Sequence, residues 1–259
     1  MNKELEVACD AAREAGRLVK KMQATMSVSE KSKNNLVTTA DLAAEDAIIS
    51  MIGSHFPAHS FCAEERHEST PRDADNLWVI DPLDGTNNYA HGIPHFCISI
   101  AYAQRGEVRA GVVFDPMRDE CYTAVKGEGA FLNGKRIAIS SCDRLDQAVI
   151  ATGFAYDRGF TMEKTLEAVH GLFKSNIRGI RRMGSAALDM CWVASGRFDG
   201  YFEYLLSTWD YAAGMLIVAE AGGQCSDRAG NPLALSAASI ATSNGKIHKE
   251  FLDVVRWRE

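Results

Sequence analysis

Apolar residues recur every three or four positions in two stretches near the start of the chain. Residues 3–23 and residues 40–55 are therefore both predicted to be amphipathic helices. The second helix is expected to bury Ile48, Ile49 and Ile52 and to stop before a proline. The segment between them, KSKNNLVTTAD, predicts a polar connection.

From Leu77 the pattern changes to that of strands. LWVID predicts a short apolar strand that runs into DPLDGTNN, a segment of turn-forming residues. Further strands are predicted at FCISIAYA, EVRAGVVFD, ECYTAV and KRIAIS. Short turns such as Arg105-Gly106 and Asn133-Gly134 separate them, so we expect an antiparallel meander.

From about residue 147 strands and helices alternate. Strands are predicted at QAVIAT, NIRGIRR, FDGYFEY and SIATS, and helices at 161–174, 185–195, 210–221 and 246–257. This alternation is typical of an α/β arrangement. We therefore expect an α+β half at 1–145 and an α/β half at 146–259, packed as one unit because no long linker separates them.

Composition excludes several classes of protein. The 259 residues include 28 Lys+Arg and 34 Asp+Glu, a net charge of −6, and 46% are hydrophobic. These ordinary globular fractions exclude disorder, collagen and coiled coil. The acidic balance argues against a dedicated binder of nucleic acid or of an anionic membrane, because such a protein needs a basic surface.

The cysteines and the apolar runs bear on location. Seven cysteines lie at least 21 positions apart, so neither a CxxC site nor a disulfide framework is visible. The first 22 residues carry charges throughout, unlike a signal peptide, and the apolar run at 96–103 is too short to span a bilayer. We expect a cytoplasmic protein without membrane insertion.

Acidic residues fall at the ends of predicted elements, where side chains from distant segments can converge. If Glu64, Asp81, Asp84 and Asp210 come within about 5 Å, each pair repels by roughly 3 kcal/mol at an effective dielectric constant near 20. Four such groups are either dispersed or hold metal ions. Oxygen ligands of this kind select Mg²⁺ over Zn²⁺.

The DPLDGT segment can supply both metal ligands and a binding pocket for phosphate. Pro82 fixes φ, so the Leu83 carbonyl can turn toward the ion that Asp81 holds. The backbone N–H groups of Gly85 and Thr86 form an anion pocket if they open a helical turn. Metal ions beside such a pocket indicate metal-assisted hydrolysis of phosphate esters.

Each fragment also has an ordinary structural explanation. DPLDGT alone is more often a plain turn, and WDYAAG is more often a buried helix start with Asp210 as its N-cap. His91 and His95 are more often core or surface histidines than a zinc pair. Arg178, Arg181 and Arg182 form either a solvated strand face or an edge that attracts anions or a second subunit.

The segments LVTTAD, AEE, WVIDPLDGTNNY, GSAALDM and WDYAAG, in this order, resemble the inositol monophosphatase family of Mg²⁺-dependent phosphatases. The resemblance covers essentially the whole chain. It implies a five-layered α-β-α-β-α sandwich of the sugar-phosphatase type, which is commonly a homodimer and is often inhibited by Li⁺. Ala63 and Asn35 depart from the usual Gly and Asp of the family, and neither change removes an implied ligand.

The resemblance implies two to three Mg²⁺ ions per site. Glu64, Asp81 and the Leu83 carbonyl would hold the first ion, and Asp81, Asp84 and Asp210 the second. Glu64 would also help to hold a third, weaker ion.

The remaining implied roles are catalysis and substrate binding. The implied catalytic residues are Asp41, Thr86 and Glu64, of which Asp41 and Thr86 would position and deprotonate the attacking water. The implied substrate contacts are Asp84, Gly85, Thr86, Ala186, Glu203 and Asp210. The expected reaction is an in-line displacement by water without a phosphoenzyme.

The expected substrate is a small phosphorylated polyol or sugar, with inositol-1-phosphate as the leading candidate. Histidinol phosphate, fructose-1,6-bisphosphate and nucleotide 3′-phosphates remain alternatives. Glu203 favours a polyol or sugar, but a carboxylate can equally bind an amine, such as that of histidinol phosphate. A different class is a regulatory binding protein with a vestigial or secondary phosphatase site, since some bacterial relatives bind transcription machinery. No nucleic-acid partner is expected from the charge.

Overall fold

The computed structural model describes residues 3–32, 35–67, 70 and 72–257. Its helices are α1 Lys3–Met22, α2 Thr39–His55, α3 Thr86–Ala90, α4 Phe160–Lys174, α5 Ala186–Ala194, α6 Thr208–Glu220 and α7 His248–Val255. Its first strands are β1 Val28–Ser32, β2 Asn35–Thr38, β3 Ser60–Ala63, β4 Asn76–Asp84, β5 Cys97–Gln104, β6 Glu107–Asp115 and β7 Glu120–Val125. The others are β8 Gly129–Leu132, β9 Lys135–Arg136, β10 Val149–Thr152, β11 Gly179–Arg181, β12 Gly200–Leu206, β13 Gln224–Asp227 and β14 Ala238–Ser243.

Two large sheets organise the molecule. The seven-stranded sheet has the order β3-β4-β5-β6-β7-β8-β9, antiparallel except for β3 beside β4. The five-stranded sheet has the order β11-β10-β12-β14-β13, with β10 parallel to both of its neighbours. The strands β1 and β2 form a separate antiparallel hairpin.

Three hydrophobic cores define five layers. The helices α1 and α2 pack on one face of the seven-stranded sheet through residues such as Val19 and Ile48. The helices α5 and α6 fill the space between the two sheets. The helices α4 and α7 cover the outer face of the five-stranded sheet through residues such as Leu172 and Phe251. The expected α-β-α-β-α sandwich is therefore confirmed.

The middle layer depends on small residues. In α6, Ala212, Ala213 and Gly214 are buried, and the helix contacts strands of both sheets. A side chain at Gly111 of β6 would meet the Ala213 backbone at 3.1 Å, so the strand and the helix approach too closely for one. This contact explains why the WDYAAG segment is small and apolar in its second half.

The structure departs from the predicted elements where polar residues form strands. The segment 31–41 was expected to be a connection, but most of it belongs to the β1–β2 hairpin, and residues 33 and 34 lie outside the described residues. This hairpin carries no apolar alternation because it does not belong to either large sheet. The short strands β3, β8 and β13 are not predicted from the sequence, and in KRIAIS only Lys135–Arg136 forms a strand. Ile49 is half-buried, whereas Ile48 and Ile52 are fully buried as predicted.

Most of the other predicted elements are confirmed, including the first two helices, the antiparallel meander and the α/β alternation. The division of the chain at residues 145 and 146 stays a prediction. Within the described part of the chain, no helix is long and apolar enough to cross a membrane.

Candidate active site

One cavity of about 360 Å³ opens where elements of both sheets end. It lies beside the end of β4, the first turns of α3, α5 and α6, and the segment after β10. The predicted site residues that line it are Glu64, Asp81, Leu83, Asp84, Gly85, Thr86, Ala186, Glu203 and Asp210. Asp41 does not line the cavity; it lies buried behind Thr86.

The end of β4 is shaped by its two aspartates. The backbone N–H of Leu83 donates to Asp81 Oδ1 at 3.0 Å, which closes a tight local bend around Pro82. The pairing of β4 with β5 is irregular between Asp81 and Asp84, so DPLD continues the strand with a bulge rather than forming the expected plain turn. A short helix, α3, follows it.

Asp84 ties the strand to the middle helical layer. Its Oδ2 accepts hydrogen bonds from Ser185 Oγ at 2.7 Å and from the Ala187 backbone N–H at 2.8 Å. Both donors belong to the start of α5, in the GSAALDM segment. The two sequence segments that carried the resemblance therefore meet at this carboxylate.

The turn into α3 requires a glycine. Gly85 has φ 98°, a left-handed conformation, and a Cβ there would lie 3.0 Å from the His95 carbonyl oxygen. Thr86 then begins the helix, and its Oγ1 donates to Asp41 Oδ1 at 2.8 Å. The other oxygen of Asp41 accepts from the Thr38 backbone N–H at 2.9 Å and caps α2. Asp41 thus has two roles: it takes part in the capping box of α2, and it accepts a hydrogen bond from Thr86 on the cavity wall.

Asp210 stands at the start of α6 in a capping box. Ser207 is the N-cap residue, and its backbone N–H donates to Asp210 Oδ2 at 2.6 Å. The alternative interpretation of WDYAAG as a capped helix start is therefore correct, but Asp210 is the third helical residue rather than the N-cap. The same carboxylate lines the cavity, so the cap and the site share one side chain.

Burial and repulsion from neighbouring charges raise the pKa values of three cavity aspartates. The pKa of Asp81 is raised by burial first and then by the charges of Glu64, Asp84 and Asp210. Burial raises the pKa of Asp84 to about 6, against the stabilising hydrogen bond from Ser185. The pKa of Asp210 is raised by burial and by Glu64 and Asp84. The charges of Glu64, Asp84 and Asp210 therefore lie close enough to oppose the ionisation of Asp81.

The donor set fits a hard divalent cation in its chemistry. All the predicted ligands are carboxylate or carbonyl oxygens on one cavity wall, the type that Mg²⁺ prefers. Among the described residues, however, no three His, Cys, Asp or Glu side chains are arranged so that they could hold a metal ion as they stand. Glu64 instead pairs with Lys31 Nζ at 2.9 Å, and Lys31 also pairs with Glu65 at 2.5 Å. A bound cation would therefore compete with Lys31 for the Glu64 carboxylate.

Several cavity residues were not predicted. Lys31 reaches the cavity from the β1–β2 hairpin, and Gly153 and Tyr156 follow β10; the sequence shows no signal for any of them. Arg182 was noted within its arginine cluster, and the structure places it on the cavity wall. Arg178, in contrast, is exposed and does not line the cavity.

The histidines are not a metal pair. His95 is buried and its Nε2 lies 3.1 Å from Asp189 Oδ1, whereas His91 is exposed at the surface. Glu203 lines the cavity, and Tyr201 Oη donates to its Oε2. Burial raises the pKa of Glu203 to about 7, while the Tyr201 hydrogen bond and the charge of Arg182 favour its ionised form.

The five-layered sandwich and its acidic cavity agree with a protein of the phosphatase class, which the family comparison supports. The family follows from comparison with known proteins: the model of the inositol monophosphatase family matches residues 1–258, and the chain belongs to this family.

Similar proteins carry two kinds of name. The Nus factor SuhB of Escherichia coli strain K12 is 42% identical over 259 residues, covering 99% of this chain and 97% of that protein. The extragenic suppressor protein suhB of Bartonella henselae has a crystal structure with a TM-score of 0.91 and 37% identity, covering 97% of each chain. An inositol monophosphatase of Anabaena has a TM-score of 0.87 and 38% identity, covering 97% of this chain and 94% of that one.

Proposed function

We propose that this phosphatase is a Mg²⁺-dependent phosphate monoester hydrolase whose substrate is inositol-1-phosphate. The observation that carries the proposal is the convergence of four carboxylates on one cavity that also contains the Gly85-Thr86 turn. A cavity with an excess of carboxylates cannot accept a phosphate dianion without cations, because the charges repel. The name of the Anabaena protein supports the choice of substrate.

The metal ligands in this proposal are Glu64, Asp81, the Leu83 carbonyl, Asp84 and Asp210. Mg²⁺ ions bound there, two to three per site, would acidify a water molecule and neutralise charge on the phosphoryl oxygens and the leaving alkoxide. Asp84 already accepts two hydrogen bonds through Oδ2, which fixes its other oxygen toward the cavity side. Its orientation is thus set by α5 before any ion binds.

Thr86 and Asp41 would position the attacking water. The Thr86 hydroxyl donates a hydrogen bond to Asp41, so its oxygen lone pairs remain to accept a hydrogen bond from water. Asp41 is buried, and burial raises its pKa, which makes it a better proton acceptor through Thr86 than an exposed aspartate. Glu64, which also lines the cavity, completes the proposed catalytic set.

Water is the nucleophile in this proposal because the neighbouring side chains are engaged. The Ser185 hydroxyl donates to Asp84, and burial raises the pKa of the Cys97 thiol well above its usual value. The phosphate would bind the backbone N–H groups of Gly85 and Thr86, at the start of α3. Ala186, Glu203 and Asp210 would contact the hydroxyls of the polyol.

A substrate panel tests the proposal. Phosphate release is measured from inositol-1-phosphate, histidinol phosphate, fructose-1,6-bisphosphate and 3′-phosphoadenosine 5′-phosphate, each with Mg²⁺, with EDTA, and with Mg²⁺ plus Li⁺. We expect turnover only with Mg²⁺, preference for inositol-1-phosphate, and inhibition by Li⁺. A preference for another ester would replace the substrate and keep the reaction.

The variant Asp84→Asn tests the mechanism, with Asp119→Asn as the matched control because Asp119 is exposed on the turn between β6 and β7. We expect Asp84→Asn to abolish phosphate release and the Mg²⁺-dependent rise in melting temperature. That rise corresponds to about 2.7 kcal/mol when Mg²⁺ is at 100 times its dissociation constant. Unchanged phosphate release in this variant would remove Asp84 from the mechanism.

A second candidate function is that of a Nus factor, favoured by the name of the Escherichia coli relative. The test is complementation of an Escherichia coli strain that lacks this relative, with the wild type and with Asp84→Asn. If both the wild type and Asp84→Asn complement the strain, the chain can perform the relative's role, and that role does not require phosphatase activity. Failure of both would leave the phosphatase as the better-supported function.

Assembly and location belong to the same proposal. We expect a homodimer, which sedimentation velocity would show as a single species of twice the mass of 28.3 kDa. All seven cysteines are free thiols, which agrees with a reducing, cytoplasmic environment.

A further inference from the structure

Two neighbouring strands of the five-stranded sheet bring a glycine against a cavity carboxylate. The strands β10 and β12 run parallel, with Ala151 opposite Tyr201 and Thr152 opposite Phe202. One step further along this register, Gly153 comes beside Glu203. Tyr201 and Glu203 lie two positions apart on β12 and therefore point to the same face of the sheet, toward the middle helical layer.

Glu203 is held from two sides. Tyr201 is fully buried, and its hydroxyl donates to Glu203 Oε2 at 2.5 Å, so the donor has a fixed position. On the other side, a Cβ built on Gly153 would overlap the carboxyl group of Glu203. The absence of a side chain at position 153 thus makes the space that this carboxyl group occupies.

The geometry leaves Glu203 able to accept more hydrogen bonds. A carboxylate has about four acceptor positions, and the Tyr201 hydroxyl uses one of them. The residue lines the cavity on the wall that also carries Arg182. A leaving group with hydroxyls can donate hydrogen bonds to this carboxylate. A plain alkyl group cannot, so it would displace water from the carboxylate without replacing the lost hydrogen bonds.

We propose that Gly153 and Tyr201 are positioning residues that hold the Glu203 carboxylate toward the leaving group, and that they thereby select esters of polyols over alkyl phosphates. This selectivity rests on the proposed function, since it concerns the substrate of the same site. It assigns a role to two residues that bind neither metal ions nor phosphate.

Matched variants test the proposal. Gly153→Ala places a methyl group where the carboxyl group lies; the Gly153 φ is not in the left-handed region, so the backbone itself accepts alanine. Tyr201→Phe removes the hydrogen bond alone. The controls are Gly53→Ala, where the new Cβ would lie 3.9 Å from its nearest recorded neighbour, Phe61, and Tyr102→Phe, whose hydroxyl bonds to Asn76 away from the cavity.

The readout is kcat and KM for inositol-1-phosphate and for n-propyl phosphate, which has no hydroxyl on its leaving group. Because a hydrogen bond to a charged group is at stake, we expect each variant to lower kcat/KM for inositol-1-phosphate about tenfold or more. The same variants should change kcat/KM for n-propyl phosphate less than about twofold, and the controls should change neither. In the double variant with Glu203→Gln, Gly153→Ala should add no further loss, because both changes act through one carboxylate.

Equal losses on both esters would overturn the proposal, since they would indicate a general structural defect. It would also be overturned if the wild type preferred n-propyl phosphate. If the wild type hydrolyses neither ester, the proposed function fails by itself, and calorimetric titration with the two esters then tests the positioning role. In that case, weaker binding of inositol-1-phosphate alone in Gly153→Ala supports the role, and unchanged binding overturns it.

Discussion

The Thr86 hydroxyl donates to Asp41 Oδ1 at 2.8 Å, joining residues 45 positions apart in the sequence. Thr86 opens α3 on the cavity wall, and Asp41 belongs to the first turn of α2, outside the cavity. The pair links the capping of a helix in the first layer to the floor of the site. A substitution at either residue should therefore affect both the start of α2 and the cavity.

The first prediction concerns the hydroxyl of Thr86. Thr86→Val keeps the size of the side chain and removes its hydrogen bonds, so we expect kcat to fall by about 100-fold or more, the usual range for loss of proton-transfer assistance. Thr86→Ser, which keeps the hydroxyl, should retain most of the activity. Steady-state phosphate release measures both variants. Equal rates for Thr86→Val and the wild type would exclude the hydroxyl from catalysis.

The second prediction separates backbone strain from steric overlap at Gly85. Alanine at Gly85 would have φ 98° and a Cβ 3.0 Å from the His95 carbonyl oxygen. Gly92 is the matched control, because its φ is also positive at 70° and its Cβ would meet nothing within 4 Å. We expect Gly92→Ala to cost about 1 kcal/mol of unfolding free energy and Gly85→Ala clearly more. Urea denaturation measures both, and equal costs would contradict the steric argument.

The third prediction concerns the pH dependence of stability. His248 is buried between the hydroxyls of Ser226 and Ser243, at 3.0 Å each, and burial lowers its pKa below the usual 6.5. The folded state therefore binds a proton at His248 less readily than the unfolded state does. As the pH falls through 6.5 toward the lower folded value, this residue's contribution to stability is lost.

The matched measurement compares the wild type with His248→Gln at pH 7.5 and pH 5.5 by urea denaturation. At the higher pH the variant should be less stable by about 1–3 kcal/mol, because buried hydrogen bonds are lost. At the lower pH the difference in unfolding free energy should shrink. Only the wild type has a histidine there that must stay neutral in the folded state and gains a proton on unfolding. A difference that grows with acidity would show the opposite sign of the pKa shift.

The fourth prediction concerns Glu220, the last residue of α6. Its carboxylate accepts from the backbone N–H groups of Gly127 and Gly129, at 2.7 and 2.8 Å, and so binds the β7–β8 turn to the middle layer. Glu220→Ala should lower the unfolding free energy by about 1–2 kcal/mol, and Glu220→Gln, which keeps one acceptor, by less. Kinetics should not change, because Glu220 does not line the cavity.

The sequence was sufficient wherever a periodic pattern or a residue type determined the outcome. The helix Lys3–Met22 follows from its apolar spacing, and the convergence on the cavity follows from carboxylates at element ends. The role of Asp41 stays a prediction, and its place behind Thr86 depends on a hydrogen bond between α2 and α3, which no local pattern encodes.

Other features depend on contacts between distant segments. Pro82 and Asp84 disfavour a strand, yet β4 continues through them because β5 pairs around the bulge. The sequence does not predict Gly153 as a cavity residue, because its place beside Glu203 comes from the register of β10 against β12. Lys31 reaches Glu64 only because a polar hairpin folds over the cavity, and polar hairpins lack the alternation that predicts strands.

The position of α5 and α6 between the two sheets has a consequence for amide hydrogen exchange. Their N-terminal turns carry Ala186 and Asp210, and every side chain of α5 except that of Trp192 is buried, as are most of those of α6. Such helices exchange their amide protons only when the whole domain opens, whereas surface elements exchange through local fluctuations. The half of the site that these helices supply therefore belongs to the slowest-exchanging part of the molecule. During denaturation its geometry should persist until global unfolding.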